Sequence, residues 1–419
     1  MRVLVLGGGG REHALSWRLN RDGHEVLCAP GNAGIAAVAR IVDVRPDDPS
    51  AVVASARSES VDLVVVGPEA PLVAGVVDAL NAAGIPAFGP TAAGAQIEGS
   101  KAFAKAVMAE AGVDTAGYWT GTDAAEAKKA LDDFVPPYVV KADGLAAGKG
   151  VRICADRAEA EEAIDDALVR QVFGAAGTVL VIEEFMTGPE ISLFGLCDGD
   201  TVVPLVPAQD FKRALDGDQG LNTGGMGAYS PVPAFTPGMV EAARTTVLQP
   251  VLDALKARGI AYVGVLYAGL MLTPDGVRVL EFNARFGDPE TQVVLPRLRS
   301  DLGELLLACA TGRLAEHGPL EWDERACVTV IMASGGYPGD YDVGVPISGL
   351  DEAPDGVVVF HAGTRQDDDA VVTSGGRVLA VSGMGDGIAA ARELAYETVA
   401  QISFDGAHYR RDVAASPTH

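Results

Sequence analysis

Glu281-Phe282-Asn283-Ala284-Arg285-Phe286-Gly287-Asp288-Pro289-Glu290 follows the strand-forming run Val277-Arg278-Val279-Leu280, and its reading governs that of the whole chain. A strand that continues through Asn283 alternates its side chains between two faces, so Glu281 and Asn283 share one face and Phe282 takes the other. Two oxygen ligands then converge. Mg²⁺ is held by one or two protein oxygens together with waters and substrate phosphates, so a carboxylate and an amide at i and i+2 suit a metal-nucleotide site. Arg285, two residues on, reaches the same side and can stabilise charge on a phosphoryl group in transfer. A polar edge-strand face followed by a turn at Gly287-Asp288-Pro289 explains the same triplet without chemistry, and the surrounding sequence has to decide.

Outward from that stretch, apolar periodicity lays out four regions. A second long strand is expected over 263–272, with helices over 238–257 and 301–309, giving a sheet-based central domain of residues 189–325. Upstream, strands over 138–141, 151–154 and 179–184 accompany helices over 101–111 and 158–168, and this stretch reads as small α+β structure, with which the strand over 191–197 is grouped by its pattern although it falls inside the bounds 189–325. The lid region is set at 101–188, with the lid itself at about 113–188. Residues 1–100 alternate β-branched and amphipathic runs, with strands over 3–6, 25–28 and 61–66 and helices over 12–19 and 72–82, the pattern of a doubly wound parallel α/β domain. Residues 326–419 make a C-terminal α+β unit: strands over 327–332, 357–361 and 378–382 and a helix over 388–401, interrupted by the Gly/Pro-rich stretch 334–356.

The sequence has 419 residues, 48% of them hydrophobic, enough for large cores; 32 Lys+Arg against 57 Asp+Glu leave a net charge of −25. A binder of nucleic acid or of an anionic membrane needs the opposite balance, so neither is an expected partner, whereas a few placed cations still suffice for a small anion. No window carries the roughly 18 uncharged apolar residues of a membrane span, and the apolar start at Met1 to Leu6 meets Arg11-Glu12-His13 without a cleavage site. Cys28, Cys154, Cys197, Cys309 and Cys327 are dispersed with no C-x-x-C pair, which speaks against disulfides or zinc and for a reducing, cytoplasmic compartment. The histidines show no metal-binding spacing, and only His13 lies beside a glycine loop.

Three glycine-rich segments flank the expected strands. Gly7-Gly8-Gly9-Gly10 follows a strand and opens a helix, where bare amides and the positive helix end receive phosphates. As a dinucleotide fingerprint it fails: the third glycine of G-x-G-x-x-G falls on Glu12 or His13, and the second strand ends in Cys28-Ala29-Pro30-Gly31 with no acidic residue. A monophosphate site and a purely structural turn both remain open. Lys141-Ala142-Asp143-Gly144-Leu145-Ala146-Ala147-Gly148-Lys149-Gly150-Val151 lacks the spacing and the Ser or Thr of a Walker A loop. It reads either as a hairpin that covers phosphates or as a solvated surface hairpin; Lys141 favours the first, since an ammonium ending the run Tyr138-Val139-Val140 needs an anionic partner. Asn222-Thr223-Gly224-Gly225-Met226-Gly227-Ala228-Tyr229-Ser230-Pro231, preceded by Asp210-Phe211-Lys212-Arg213, joins backbone amides to two cations, the makings of an anion pocket.

The order of these features resembles the ATP-grasp architecture. The motifs GGGGREHAL (7–15), GPEAPL (67–72), GPT (89–91), GSK (99–101), KADGLAAGKGV (141–151), NTGGMGAYSP (222–231) and RFGDPETQ (285–292) are similar to those of the phosphoribosylamine-glycine ligase family, over the chain to about Asp412. The resemblance implies a mixed α/β and α+β ATP-grasp fold, with a Rossmann-like N-terminal domain, a small lid and a C-terminal α+β domain. It implies that ATP, glycine and 5-phosphoribosylamine give glycinamide ribonucleotide, ADP and phosphate in purine biosynthesis. The route would pass through glycyl phosphate, by positioning and charge neutralisation without a nucleophilic side chain.

Carried over residue by residue, Lys101, Lys141 and Lys149 would meet the ATP phosphates under a lid hairpin with Gly144, Gly148 and Gly150. Glu183, Glu184 and Phe185 would line the adenine and Glu190 would hold the ribose. Glu281 and Asn283 would bind Mg²⁺ or Mn²⁺, and Arg285 would stabilise the transferred phosphoryl group. Gly9, Gly10, Arg11, Glu12, His13, Asp210, Lys212, Asn222, Gly224, Gly225 and Gly227 would approach phosphoribosylamine and glycine. Also expected are a monomer in passing contact with the preceding purine enzyme, no fused later enzyme, and a cleft made locally positive by Lys101, Lys141, Lys149, Lys212, Arg213 and Arg285. Another ATP-grasp carboxylate-amine ligase is the nearest alternative reading and a Rossmann-type NAD-dependent dehydrogenase a more distant one. A non-catalytic nucleotide-binding module is disfavoured by the intact Glu281, Asn283 and Arg285.

Overall fold

Val3, Leu4, Val5 and Leu6 are fully buried because their strand, β1 (Arg2–Gly7), runs through the middle of a five-stranded parallel sheet. The computed structural model describes residues 1–144, 150–350 and 353–415. After β1 come α1 (Gly10–Arg21), β2 (Glu25–Pro30), β3 (Arg40–Ile41), α2 (Pro49–Ser58), β4 (Leu63–Val66), α3 (Glu69–Val73), α4 (Val76–Ala82) and β5 (Ala87–Phe88). The sheet order β3-β2-β1-β4-β5 reverses direction between β1 and β4. A crevice therefore opens beyond the ends of these two strands, where the loops at Gly7 and Gly67 lie. The single helix expected over 72–82 is broken in two, because Gly75 between α3 and α4 takes a left-handed conformation with φ of +81°.

Next, α5 (Ala92–Gly99) and α6 (Lys101–Ala111) meet at Ser100, whose side chain caps α6 by accepting from the Phe103 amide. A small antiparallel sheet of order β6-β9-β7-β8 follows: β6 (Tyr118–Gly121), β7 (Tyr138–Ala142), β8 (Val151–Cys154) and β9 (Leu180–Glu184). Its Tyr138, Val140, Leu180 and Ile182 pack with Ala127 of α7 (Ala124–Ala130) and Ile164 of α8 (Arg157–Ile164). With a period of two, Lys141 and Glu183 must then leave from the opposite face.

The central sheet has the order β11-β10-β16-β17, built from β10 (Glu190–Asp198), β11 (Val202–Pro204), β16 (Val263–Thr273) and β17 (Gly276–Asn283). The strand read over 191–197 as part of the small α+β structure belongs here instead: it pairs with β16 along its length, and its residues Ile191, Leu193, Phe194 and Leu196 are buried in the larger cores. On β17 a bulge at Leu280 shifts the register against β16, so that Val279 and Phe282 are both buried while Glu281 is exposed and Asn283 half-buried.

The stretch after β11 holds short strands that the sequence does not announce. β12 (Gln209–Asp210), the ribbon β13 (Arg213–Leu215) with β14 (Gln219–Asn222), and β15 (Gly227–Ser230) lie between β11 and the helices α9 (Pro237–Ala243) and α10 (Gln249–Ala257). After α11 (Thr291–Val294) and α12 (Leu302–Ala310), β12 and β15 join β18 (Ala326–Ala333), β22 (Arg377–Gly385) and β19 (Val357–His361) in the order β12-β15-β18-β22-β19, with the ribbon of β20 (Thr364–Asp367) and β21 (Ala370–Thr373) between β19 and β22 in the chain and α13 (Ile388–Val399) packed against β22 and β18. The last part of the segment read as a glycine-rich loop is thus a strand with all four residues buried. No helix among the described residues is long and apolar enough to cross a membrane. All five cysteines are buried and free.

Candidate active site

Neither Glu281 nor Asn283 has a side-chain hydrogen-bond or ion-pair partner among the described residues. Opposite Glu281 on β16 is Gly269, where a Cβ would come to 3.3 Å from the Glu281 Cγ, so the bare glycine leaves room over the carboxylate. One carboxylate and one amide oxygen are a donor set that suits Mg²⁺, which takes its remaining ligands from water and phosphates. No group of three or more His, Cys, Asp or Glu is arranged for a metal among the described residues, so the pair fits a metal carried in with a substrate phosphate better than a metal caged by protein alone.

Arg285 is held differently. Its Nη2 is 3.0 Å from Glu98 Oε1, its Nε 3.6 Å from Glu69 Oε2, and its Nη1 donates to the Phe286 carbonyl at 3.1 Å. Phe286 is fixed between Phe88 of β5 and Phe194 of β10, with ring centroids 6.1 and 5.9 Å away. Burying such a ring stabilises by about 1.5–3 kcal/mol, which anchors Arg285 on one side and Gly287 on the other. Sequence reading missed Glu69 and Glu98; Glu69 lies in the quoted GPEAPL motif, the only signal that pointed to it.

On the lid side, Lys141 finds the anionic partner its sequence position demanded. Its Nζ lies 2.7 Å from Glu183 Oε2, and the other oxygen of Glu183 is 3.1 Å from the Nζ of Lys105, a cation the sequence reading passed over. Glu184, also expected at the adenine, instead accepts from the Gly117 amide at 2.8 Å and pairs with Arg278 at 2.6 Å. The Gly117 amide and then Arg278 hold its carboxyl below the usual range. Phe185 is exposed. Lys101, at the start of α6, reaches the base of the hairpin through the carbonyls of Asp143 and Gly144 at 3.2 and 3.3 Å, and burial lowers its pKa despite the facing Glu281. Asp143 ties the same corner by accepting from the Ala102 amide at 2.7 Å and from the Ser100 hydroxyl. Gly144 and Gly150 frame the hairpin, with no room for a Cβ at Gly144 beside Ala176; Gly148 and Lys149 lie outside the described residues.

The structure brings Glu190, Asp210 and Lys212 together. Lys212 Nζ is 2.9 Å from Glu190 and 2.9 and 3.0 Å from the two oxygens of Asp210. Buried Glu290 feels the charges of Asp210 and Lys212, and the hydroxyls of Ser192 and Tyr267 donate to its Oε1 at 3.0 and 2.6 Å. Burial, with Asp210 adding to it, raises the Glu290 carboxyl, and burial likewise raises Asp210 against the pull of Lys212. The locally positive cleft expected from the sequence is therefore corrected: Lys141, Lys212 and Arg285 each sit against carboxylates, and Arg213 turns away to the Gly220 carbonyl of its own ribbon.

The N-terminal loop completes the cleft from the crevice of the parallel sheet. Glu12 and His13 fill positions a dinucleotide would need as glycine, and both are buried. The Glu12 carboxylate accepts from the Gly9 amide at 2.6 Å and from Arg11 Nε at 2.6 Å, and a Cβ at Gly7 or Gly67 would strike it. The positive end of α1 thus carries an anion supplied by its own first turn. Gly9 and Gly10 lie near Asp288, which accepts from the Arg11 amide at 3.2 Å. Arg377 of β22 ties two loops together: its Nη1 donates to the carbonyls of Gly224, Gly225 and Asp288 at 2.5, 3.2 and 2.9 Å, and its Nη2 lies 3.3 Å from Asp288 Oδ1. Asn222 is exposed, whereas Gly227 is glycine because a Cβ there would lie 2.7 Å from the Thr329 carbonyl and from Val413.

His13 has a structural task. Its Nδ1 accepts from the His361 amide at 2.7 Å, joining α1 to β19. Burial, then His361, lowers the His13 imidazole to about 3, and burial lowers His361 to about 4, from 6.5. Both are neutral when folded and take up protons on unfolding. Their contribution is complete above pH 6.5 and is lost as pH falls toward 4, at up to about 1.4 kcal/mol per pH unit for each imidazole. Urea melts from pH 7.5 down to 5 are expected to show this loss, with a shallower slope in His13→Asn; an identical slope in the variant would refute the assignment.

Three consecutive family descriptions match the chain: "Phosphoribosylglycinamide synthetase, N domain" over residues 1–98, its "ATP-grasp (A) domain" over 99–291 and its "C domain" over 327–416. A phosphoribosylamine-glycine ligase of Streptomyces coelicolor is 56% identical over 422 residues, covering 99% of each chain. The chain belongs to the phosphoribosylamine-glycine ligase family. The crystal structure of the family's Thermotoga maritima member superimposes with a TM-score of 0.86 at 34% identity, covering 98% of this chain and all of that one. A biotin carboxylase domain of Hydrogenobacter thermophilus 2-oxoglutarate carboxylase, in complex with MgADP, shares the fold at a TM-score of 0.75 and 17% identity, over 97% of this chain and 91% of that one. The architecture is the ATP-grasp fold with flanking N-terminal and C-terminal domains, as this family's motifs implied.

Proposed function

We propose that this cleft joins glycine to 5-phosphoribosylamine with ATP, giving glycinamide ribonucleotide, ADP and phosphate. The observation that carries the reading is the Glu281 and Asn283 pair, unpartnered among the described residues, with Lys101 facing Glu281 from the base of the hairpin that Lys141 enters. A glycine carboxylate oxygen attacks the γ-phosphorus and ADP leaves, forming glycyl phosphate. The amine nitrogen of phosphoribosylamine then attacks the glycyl carbonyl carbon, phosphate leaves, and the nitrogen gives up a proton. Neither step needs a protein nucleophile, so the residues act by placing reactants and balancing charge.

Lys101 and Lys141 would bind the ATP phosphates, and Arg285, oriented by Glu98 and Glu69, would face the phosphoryl group in transfer. Glu281 and Asn283 would hold Mg²⁺, or Mn²⁺ with the same oxygen ligands, whose bound charge offsets that of the phosphates. Glu183, given its two lysines, would serve the ATP site through them rather than by a side-chain contact with adenine. The excess of carboxylate over cation around Asp210, Glu190 and Glu290 supports a place for the ammonium group of glycine beside Lys212. The buried free thiols suit a reducing, cytoplasmic setting.

ADP release with ATP and Mg²⁺ tests the reading: glycine and phosphoribosylamine together are expected to drive it, with glycinamide ribonucleotide formed in step. Another acceptor amine replacing phosphoribosylamine at equal rate would favour a different ATP-grasp ligase. No product with all components present would sink the proposal.

A further inference from the structure

Lys105 is an unusual residue to find where it is. It lies on α6 with only 2% of its surface exposed. Its Nζ is 3.1 Å from Glu183 Oε1, donates to Thr115 Oγ1 at 2.7 Å and sits 5.2 Å from the centre of the Tyr118 ring. Thr115 in turn donates to the Val279 carbonyl at 2.7 Å, two residues before Glu281 on β17. Burying an ammonium costs stability unless it is paired, and one carboxylate would already satisfy Lys141. Two buried lysines therefore share a single buried carboxylate, and the group carries one surplus positive charge.

The hydrogen bonds locate that surplus. Lys105 uses Glu183, Thr115 and the Tyr118 ring, whereas Lys141 makes, among the described residues, a single polar side-chain contact, the one to Glu183 Oε2 at 2.7 Å. The open N–H groups are at Lys141, beside the hairpin. We propose that Lys105 is a positioning residue for ATP: by taking half of Glu183, it leaves Lys141 cationic toward a nucleotide phosphate instead of neutralised by its own partner. Lys105 itself touches no reactant in this arrangement. The inference rests on the reading of Lys141 as a phosphate ligand.

Charge bookkeeping makes the test specific. Lys105→Met removes the surplus, Lys105→Met/Glu183→Gln restores it, and Glu183→Gln alone raises it. The KM for ATP is expected to rise about tenfold in Lys105→Met with the KM for glycine little changed, and to return to within about threefold of wild type in the double variant. A merely structural lysine predicts the reverse, a double variant at least as impaired as the single one. An unchanged KM for ATP in folded Lys105→Met, or a double variant no better than it, would overturn the inference. Should Lys105→Met not fold, Lys105→Gln makes the same charge change with a polar end for Thr115. Lys141→Ala separates the two levels: unchanged ATP affinity there removes the reading of the site, whereas lost affinity there with a normal Lys105→Met removes this inference alone.

Discussion

Glu281→Ala is expected to abolish turnover and to leave the fold intact. Its carboxylate is exposed and has no partner among the described residues, so no buried group depends on it and the cost in stability should stay within about 0.5 kcal/mol. The functional loss should be large, because removing a metal-binding carboxylate exposes charge that builds on the phosphates. A fall in kcat of about a thousandfold is the scale seen when one preorganised electrostatic contact is lost. Glu281→Gln keeps one oxygen ligand and should recover part of the rate at high Mg²⁺. The check is a titration of Mg²⁺ against ADP release beside a thermal melt. Near-normal rates for Glu281→Ala at limiting Mg²⁺ would refute the metal assignment, and a collapsed melting temperature would show that the carboxylate bears on the fold.

Arg377→Ala should lower kcat/KM by about a hundredfold without removing any group from the reactants. This guanidinium holds the Gly224-Gly225 turn, the Asp288 carbonyl and the Asp288 carboxylate in one place. Asp288 meets the Arg11 amide and the side chain of Gln292, so three segments lose their common tie at once. A displacement of about 1 Å in a positioning contact costs on the order of a hundredfold in rate. Burial alone would raise the Asp288 carboxyl, but Arg377 and then Arg11 hold it below the usual range. Truncating Arg377 leaves that half-buried carboxylate without its main partner, so the melting temperature should fall along with the rate. Arg377→Lys retains charge but cannot reach several acceptors, so it should recover stability more than rate. Wild-type rates and melting temperature in Arg377→Ala would dispose of the clamp.

Local patterns carried well where they were local. Alternation placed β7, β17 and β19, the 3.6-residue period placed α6 and α12 (Leu302–Ala310), and the i, i+2 spacing put Glu281 and Asn283 on one side of β17. Errors arose where a pattern had two solutions. A buried strand over 191–197 reads the same in either sheet, and only its pairing with β16 chooses. The segment Asn222 to Pro231 reads as loop because glycine dominates it, yet Gly227 is there to let β15 approach β18.

The charged residues of the cleft divide along the same line. The motifs alone named Lys101, Lys141, Lys212, Glu281, Asn283 and Arg285, because short spacings and strand ends constrain such groups locally. They gave no hint of Lys105, Glu98 or Arg377, and no role to Glu290 although it lies in RFGDPETQ, because these residues enter through contacts between elements far apart in the chain. Nor did they show whether cations or carboxylates prevail in the cleft, since composition counts charges without pairing them. What the sequence determined by itself was the order of elements, the family and the oxygen pair on β17, all consequences of local periodicity and contiguous motifs. Which partner each charge holds was decided only by the tertiary structure, because burial makes an unpaired charge costly and the packing of the sheets settles which opposite charge is within reach.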